Sequence, residues 1–299
     1  MTSTAPCTDP SVDPPRPAVR DAVARALAED LLPMGDLTAA LLDPARQATA
    51  HFVSRDDGVV AGRLCATEAF TQVDADVAVD WRCPDGTAVA PGTVVATVVG
   101  PLRSIVTAER TALNFLCHLS GIASATRQLV DAVAAANAST RVLDTRKTLP
   151  GLRALQKAAV RAGGGTNHRG SLSEGVLVKD NHLGGMTIAE AVRRAADRWP
   201  GRMVEVECDT LEQVRAAAVA GATVIMLDNM GPDEVGQAVG LVRASAAPRV
   251  LVEVSGGVTL DTAPTYAAAG ADLVSIGALT HSVRSLDVGL DIQGPPPAR

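Results

Sequence analysis

The chain has very few aromatic side chains: two Trp, one Tyr and three Phe among 299 residues. Proteins that bind nucleic acid generally need a broad basic surface and often aromatic stacking platforms, but here Asp and Glu outnumber Lys and Arg by 33 to 27. We therefore expect no nucleic-acid partner. Because 47% of the residues are apolar, many of them Ala and Val, the composition is typical of a closely packed α/β protein. The length allows two domains, or one barrel and a smaller domain.

Cysteine is scarce and long hydrophobic runs are missing. The five cysteines are odd in number and lack Cys-x-x-Cys spacing, so we expect reduced thiols in a cytoplasmic protein rather than disulfides or a zinc site. The longest uncharged stretch, residues 86–102, is broken by two prolines and a glycine, which predicts no membrane span. The polar start lacks an apolar core, so residues 1–18 are predicted to be a disordered tail and not a signal peptide, and residues 294–299 a second such tail.

Positive charge is concentrated in residues 141–182. Eight Arg and Lys side chains against three acids give this segment a charge of +5, whereas the rest of the chain carries −11. Charges cluster at residues 144–148, 167–169 and 179–182, beside Gly-rich stretches, which favours a small polyanion as ligand. A solvated basic helix face is the alternative. Arg153, Lys157 and Arg161, which recur every four positions, are interpreted as such an exterior.

A strand–helix rhythm begins near residue 141. Repeated βα units imply parallel strands, hence an α/β barrel or an open doubly wound sheet. Useful polar residues follow nearly every strand, as a barrel active site requires, whereas an open sheet would concentrate them at one switch point. An incomplete, six-stranded TIM-like barrel is therefore favoured, with Thr187, Thr210 and Thr259 as helix caps. The predicted strands are residues 141–145, 175–179, 203–207, 223–228, 250–255 and 272–277.

Before residue 120 the pattern differs. Residues 22–32 and 107–119 are predicted as helices, and residues 48–100 as strands joined by Gly- and Pro-containing turns. The second helix carries Arg110, which the sequence alone places most simply on a surface or in an ion pair.

The cationic clusters suit a ligand with carboxylates and phosphates. The rigid fork of Arg146 and Arg169, and also of Arg110, can donate two parallel hydrogen bonds to a carboxylate. Lys147 and Lys179 add compact charge for phosphate oxygens. His168, beside Arg169, is either a further carboxylate ligand or a structural group.

Two carboxylates and two glycine loops complete the set. Glu207 and Asp228 end adjacent strands and could bind hydrated Mg²⁺ or sugar hydroxyls, or serve as counterions to the basic clusters. The loops at Ser255–Gly257 and Gly277–Ala278 follow the last two strands, where barrels often bind phosphate through backbone amides. A dicarboxylate, a sugar phosphate and a pyrophosphate with magnesium together point to phosphoribosyl transfer.

Nine motifs resemble the quinolinate phosphoribosyltransferase family, in register over roughly residues 20–290. The resemblance implies an N-terminal α/β sandwich domain at residues 19–120, to which residues 281–293 return, and a catalytic barrel at residues 121–280. It implies transfer of the phosphoribosyl group of phosphoribosyl pyrophosphate to quinolinate with decarboxylation, giving nicotinate mononucleotide, pyrophosphate and CO₂. The motifs are Gly35–Thr38, Thr107–Asn114, His118–Ile122, Asp144–Arg153, Gly163–Arg169, Val178–His182, Glu205–Glu207, Leu227–Asn229 and Glu253–Gly257.

The resemblance also implies site residues, Mg²⁺ as cofactor and a head-to-tail homodimer in which one subunit completes its partner's site. Catalytic roles fall to Lys147, Glu207 and Asp228. The implied quinolinate ligands are Thr145, Arg146, His168, Arg169 and Lys179, together with Arg110 from the partner subunit. The implied phosphoribosyl pyrophosphate ligands are Lys147, Glu207, Asp228, Ser255, Gly256, Gly257, Ile276, Gly277 and Ala278.

The chain departs from the family pattern after Arg169. Gly170-Ser171 stands where a bulkier residue followed by Gly is expected, and Glu174 where Asp is common. A sibling transferase associated with molybdenum transport is the nearest alternative, and the intact cationic set argues against it. A Schiff-base aldolase that uses Lys179 and a non-catalytic sugar-phosphate sensor are alternatives of other classes.

Overall fold

The structure is a computed structural model that describes residues 12–245 and 250–293. The chain divides into two compact units. One unit joins the chain up to Arg127 with Thr148–Gly164 and the residues from Thr280 onward, and the other joins Gln128–Lys147 with Gly165–Leu279. The units interleave along the chain. The sequence-based division placed boundaries at residues 120 and 280 and returned residues 281–293 to the first domain, but it did not separate Thr148–Gly164 from the barrel.

The described residues form ten α-helices and twelve strands, with a short 3₁₀ turn at Ala39–Leu41. The helices are α1 (Arg16–Leu31), α2 (Arg63–Val73), α3 (Leu102–Ala136), α4 (Arg153–Ala162), α5 (Asp180–Leu183), α6 (Ile188–Arg198), α7 (Leu211–Ala220), α8 (Pro232–Ala244), α9 (Ala263–Ala268) and α10 (Ala278–His281). The strands are β1 (Gln47–Ser54), β2 (Gly58–Val59), β3 (Ala78–Trp81), β4 (Ala88–Val89), β5 (Val94–Pro101), β6 (Arg141–Leu143), β7 (Val176–Val178), β8 (Val204–Cys208), β9 (Val224–Asp228), β10 (Leu251–Ser255), β11 (Leu273–Ser275) and β12 (Val288–Gln293).

The first unit is built on a four-stranded antiparallel sheet in the order β12-β1-β5-β3. Strand β12 comes from the end of the described chain and pairs with β1. The scarce aromatic residues are used in this core. Phe52 of β1 stacks on Trp81 of β3 at 5.9 Å between ring centroids and lies 6.0 Å from Phe70 of α2. Ring contacts of this kind add to the stability gained by burying the side chains.

The second unit contains six parallel strands in the order β6-β11-β10-β9-β8-β7. Among the described residues no ladder joins β6 to β7, so the sheet is not closed, as expected for an incomplete barrel. An isolated parallel bridge between Leu143 and Thr166 continues the sheet beyond β6. Helical crossovers return the chain to the start of each new strand, so all the strands run in the same direction. Their carboxyl ends therefore lie at one edge of the sheet.

The predicted helix caps are confirmed in two of three cases. The side chains of Thr187 and Thr210 accept hydrogen bonds from the third amide of α6 and α7. The prediction for Thr259 is wrong, because α9 begins at Ala263, where Pro264 fits the first helical turn without needing an amide donor. Thr259 accepts from the Thr262 amide instead, in the preceding turn.

Two further expectations differ from the structure. Helix α1 begins at Arg16, inside the stretch predicted to be a disordered tail; residues 1–11 and 294–299 lie outside the described residues. Helix α4 is not a solvated basic face, since Lys157 is 6% exposed and Arg161 donates to the carbonyls of Val12 and Asp13. Charge periodicity alone does not reveal burial, and long basic stems can lie along apolar surface.

Two expectations about composition can be compared with the described residues. Cys65, Cys83, Cys117 and Cys208 are free thiols, and Cys7 lies outside the described residues. None of the helices in the described part of the chain combines the length and apolarity needed to cross a bilayer.

Candidate active site

A cavity of about 590 Å³ lies in the second unit at the carboxyl ends of the parallel strands. Strands β9 and β10 each contribute two residues spaced by two, since alternate side chains point to the same side of a strand, and Leu177 of β7 is followed in the same way by Lys179 just beyond that strand. The lining residues are Thr145, Arg146, Lys147, His168, Arg169, Leu177, Lys179, Glu207, Met226, Asp228, Asn229, Glu253, Ser255, Gly256, Gly257 and Ser275.

Most residues predicted for the site lie together in this cavity, but four do not line it. Ile276 is 3% exposed, and its amide donates to the Leu143 carbonyl, so it extends the sheet. Gly277 and Ala278 lie at the start of α10. Arg110 belongs to α3 in the first unit. The ligand roles of these four residues stay predictions.

A buried carboxylate fixes the second cationic cluster beside the first. Asp144, which follows β6, has 0% exposure. Its Oδ1 accepts from the His168 amide at 2.9 Å and its Oδ2 from Asn167 Nδ2 at 2.5 Å. The Thr166 amide donates to the Val142 carbonyl at 2.8 Å, so this loop runs alongside β6. The acid inside a basic cluster therefore positions residues 167–169.

The cations of the cavity lie close enough to affect one another. Burial, followed by the positive charge of Arg146, lowers the pKa of Arg169 from its usual value. Arg169 Nη1 donates to the Gly175 carbonyl at 3.0 Å. Lys179 Nζ donates to Glu207 Oε2, which keeps this ammonium at the edge of the cavity. Two arginines held together in spite of their repulsion favour a ligand with negative charge.

Two glutamates that the sequence reasoning did not select lie beside His168. Nε2 of His168 is 2.9 Å from Glu205 Oε2 and 3.7 Å from Glu253 Oε2. His168 Nδ1 accepts from the Arg169 amide at 2.8 Å. Each glutamate precedes a predicted site residue by two positions, Glu207 on β8 and Ser255 on β10. Residues two positions apart on a strand lie on the same face, so this spacing could have indicated that Glu205 and Glu253 face the site.

Asn229 was also missed as a site residue, and it shapes the glycine loop. It has a left-handed φ of 57°, its amide donates to the Ser255 carbonyl at 3.0 Å and its Nδ2 donates to Asp228 Oδ2 at 2.8 Å. Gly256, with φ of +90°, lies against it: a Cβ there would be 2.3 Å from Asn229 Oδ1. Leu177 and Met226 also line the cavity and carried no prediction, and Ser275, at the end of β11, lines it without having been assigned a ligand role.

Comparison with known proteins gives the family. Models of the quinolinate phosphoribosyl transferase N-terminal and C-terminal domains match residues 36–120 and 122–291. The chain belongs to the quinolinate phosphoribosyltransferase family. It is 44% identical over 282 residues to nicotinate-nucleotide pyrophosphorylase (carboxylating) of Mycobacterium leprae, covering 92% of this chain and 97% of that protein. It is 39% identical over 258 residues to the Homo sapiens protein of the same name, covering 85% of each.

Solved structures of the quinolinate phosphoribosyltransferase family share the fold. The nicotinate-nucleotide pyrophosphorylase from Francisella tularensis superposes with a TM-score of 0.88 at 37% identity, covering 96% of this chain and all of that one. NadC from Streptococcus pyogenes gives 0.87 at 38% identity, covering 94% and 98%.

Gly170 and Glu174, where the sequence analysis expects a departure from the family pattern, contact each other. The Gly170 amide donates to Glu174 Oε2 at 2.7 Å, and a Cβ at residue 170 would lie 3.1 Å from Glu174 Oε1. Glu174 is one methylene longer than Asp, and it fills the space left by the missing side chain at Gly170.

Arg110 lines a different cavity, of about 770 Å³, within the first unit. Arg25, Glu29 and His118 line it as well. Burial lowers the pKa of His118, whose Nε2 lies 2.8 Å from Gln156 Nε2. The imidazole is therefore the neutral acceptor of the Gln156 amide, and Arg110 lines the same cavity as His118.

Proposed function

We propose that this chain transfers the phosphoribosyl group of phosphoribosyl pyrophosphate to the ring nitrogen of quinolinate and releases the 2-carboxylate as CO₂. The products are nicotinate mononucleotide and pyrophosphate, a step of NAD biosynthesis. The observation that carries the proposal is the meeting of Arg146, Arg169 and Lys179 in one cavity that also holds Asp228 and a glycine loop. Membership of the family and the names of relatives 37–44% identical over most of the chain support it.

Quinolinate is proposed to bind at the arginine side of the cavity. Arg146 and Arg169 suit its two carboxylates, and Thr145 and Lys179 lie in the same wall. His168 fits a direct ligand role less well, because Nδ1 accepts from the protein backbone and Nε2 faces Glu205. We propose that His168 acts chiefly by holding Arg169.

The phosphoribosyl group is proposed to lie toward Glu207, Asp228 and the Ser255–Gly257 loop. Transfer from C1 of the ribose passes through an oxocarbenium-like cation, so positioning and electrostatics can supply the catalysis without a protein nucleophile. Asp228 would stabilise the positive charge that develops on the ribose, and Lys147 would stabilise the leaving pyrophosphate. Loss of CO₂ leaves electron density next to a ring nitrogen that has just become positive and can accept it.

The residues present fit a Mg²⁺ ion that arrives with the pyrophosphate. Mg²⁺ keeps several waters and is commonly bound by one or two carboxylates together with substrate phosphates. Glu207 and Asp228 line the cavity and each has one oxygen engaged by a neighbour, Lys179 and Asn229 respectively. Their remaining oxygens would hold the ion, directly or through water. When bound, it would neutralise charge on the pyrophosphate.

The test is an assay for nicotinate mononucleotide and CO₂ from quinolinate and phosphoribosyl pyrophosphate. Turnover of quinolinate separates this function from that of the molybdenum-associated sibling, and absence of both products would refute the proposal. A Schiff-base aldolase would need the Lys179 amine free to attack a carbonyl, but Lys179 Nζ is engaged by the Glu207 carboxylate. Borohydride trapping of a substrate adduct on Lys179 would reverse that conclusion.

Substitution at the glycine loop tests its role in holding phosphate. Gly256→Ala is expected to raise KM for phosphoribosyl pyrophosphate about tenfold or more, since the new Cβ would displace Asn229 as well as strain a left-handed residue. Gly257→Ala is the matched control: it also has positive φ, but its Cβ meets nothing within 4 Å. Steady-state kinetics of both variants decide the matter. Equal effects in the two would show that backbone strain alone is responsible.

The active form is proposed to be a homodimer, with higher oligomers possible, in which Arg110 of one subunit enters the partner's cavity. At quinolinate concentrations near the wild-type KM, Arg110→Ala and Arg146→Ala should each be nearly inactive alone. Random mixing of the two after refolding should restore about a quarter of wild-type activity, because half of the dimers are mixed and one site of each is intact. Sedimentation should show the dimer. No recovery on mixing, with dimers present, would contradict a shared site.

We also propose that the protein works in the cytoplasm. The free thiols at Cys65, Cys83, Cys117 and Cys208 support this, since oxidising compartments favour disulfides. Fractionation of cells followed by detection of the chain would test it.

A further inference from the structure

Two carboxylates are buried beside the same imidazole nitrogen beneath the cationic cavity. Glu205 is 0% exposed and Glu253 1%. Their Oε2 atoms lie 2.9 and 3.7 Å from His168 Nε2. Among the described residues, Oε1 of each glutamate is buried without a hydrogen-bond partner. Two ionised carboxylates in this arrangement would be costly, because neither charge is fully solvated and they repel each other.

A metal ion is the first explanation to consider, since ligand atoms of His168, Glu205 and Glu253 lie within 4.8 Å of one another. The ring of His168 argues against it. Nδ1 accepts a hydrogen bond from the Arg169 amide at 2.8 Å, so the ring hydrogen of the neutral imidazole is on Nε2. A protonated Nε2 has no lone pair for a metal, whereas it is a good donor to Glu205. A proton therefore fits this cluster better than a metal ion.

We propose that Glu253 is a positioning residue that works as the protonated acid, so that Glu205 and Glu253 together carry one negative charge and one shared proton. The single charge holds the Nε2–H of His168, and Nδ1 of the same ring holds the Arg169 amide. Arg169 is thereby fixed for the carboxylate of the ligand. The inference rests on the proposed function, since it concerns how that site receives quinolinate.

The surroundings of Glu253 support a proton there. Burial, and after it the negative charge of Glu205, raises the pKa of Glu253 to about 8, against the opposing effect of a hydrogen bond with Ser275. Met226, opposite Glu253 on β9, carries no charge. The other charged groups that line the cavity are Arg146, Lys147, Arg169, Lys179, Glu207 and Asp228.

The shared proton has a consequence for an anionic substrate. Quinolinate brings two negative charges, and a second negative charge on the glutamate pair would oppose its binding. As pH rises through the pKa of Glu253, the free enzyme loses this proton and affinity for quinolinate should fall. Binding at alkaline pH should then draw a proton back into the cluster.

The experiment compares wild type with Glu253→Gln, whose neutral amide replaces the protonated acid. Calorimetric titration with quinolinate, in two buffers of different ionisation enthalpy, measures proton uptake. When quinolinate binds at about pH 9, the wild type should take up about one proton more than E253Q does. This difference in proton uptake should disappear at about pH 6.5. The quinolinate kcat/KM of the wild type should fall up to about tenfold per pH unit above about 8, an effect absent in E253Q.

Two further measurements keep the inference apart from a purely structural role. Glu205→Gln removes the one charge, and should raise the KM for quinolinate about tenfold across the whole pH range with a smaller change in kcat. Above about pH 5, E253Q should melt at a higher temperature than wild type. Glu253 ionises at its ordinary pKa in the unfolded state but only at the raised pKa in the folded state, so the wild-type free energy of unfolding falls as pH rises between these two pKa values. At lower pH, where Glu253 is protonated in both states, the two proteins should melt alike.

The outcomes separate the inference from the function on which it rests. If wild type forms no nicotinate mononucleotide at any pH, the proposed function fails. If wild type is active but E253Q shows the same proton uptake and the same alkaline loss, the shared proton is refuted. Failure of E253Q to fold would also refute it, since the cluster should accommodate a neutral group of the same shape.

Discussion

Arg146→Ala should raise the KM for quinolinate about a hundredfold and lower kcat much less. The guanidinium lies in the cavity wall with Thr145 and Arg169, and its positive charge lowers the pKa of Arg169, which shows that the two groups interact. A charge-assisted hydrogen bond contributes about 1.5–3 kcal/mol, and about 3 kcal/mol corresponds to a factor of about 150 in affinity. Steady-state kinetics with quinolinate varied and phosphoribosyl pyrophosphate saturating measure the effect.

Two control variants test whether the change in KM is specific to the guanidinium of Arg146. Arg141→Ala removes an exposed arginine from the first residue of β6, the opposite end of the strand, and should leave the KM unchanged. Arg146→Lys keeps the charge but loses the planar fork, so its KM should lie between wild type and Arg146→Ala. Wild-type quinolinate kinetics in Arg146→Ala would remove this residue from the substrate site.

The barrel half of the fold was predictable because its signals are local. Each of the six β-branched runs became a strand, and Thr187 and Thr210 cap α6 and α7 as predicted. Parallel strands place their carboxyl ends at one edge, so Lys179, Glu207 and Asp228 could be assigned to one site from strand ends alone.

The sequence did not predict how deeply each side chain around the cavity is buried. The alternation on β8 places Glu205 and Glu207 on one face, but it does not tell that Glu205 is fully buried while Glu207 pairs with Lys179. The orientation of the His168 ring depends on the Arg169 amide and on Glu205, which is 37 residues away along the chain. Contacts between distant segments decide both features.

Burial also explains the errors in the first unit. Lys157 recurs with Arg153 and Arg161 at the spacing of an exposed face, yet α4 buries residues around most of its circumference. The segment Thr148–Gly164 clusters with residues that precede it by more than 20 positions, which no periodicity along the chain indicates. The order of strands β12-β1-β5-β3 likewise depends on pairing between the two ends of the chain.

Asp228→Ala should lower kcat about a hundredfold to a thousandfold and shift the Mg²⁺ concentration needed for half-maximal rate upward. Asp228 ends β9, and the side chain of Asn229 donates to one carboxylate oxygen at 2.8 Å and so orients the group. Preorganised charges aimed at charge that develops in the transition state contribute effects of about this size. Rates measured over a range of Mg²⁺ concentrations, with both substrates saturating, test the prediction.

The choice of variants distinguishes charge from shape at this position. Asp228→Asn keeps the size and the Asn229 contact but removes the negative charge, so it should be nearly as slow as Asp228→Ala. Asp209→Ala is the matched control, because Asp209 follows the neighbouring strand β8 but is exposed and does not line the cavity. Its kcat and Mg²⁺ dependence should equal those of wild type. If Asp228→Asn were fully active, the carboxylate would serve packing, and the cation at the ribose would have to be stabilised by Glu207 alone.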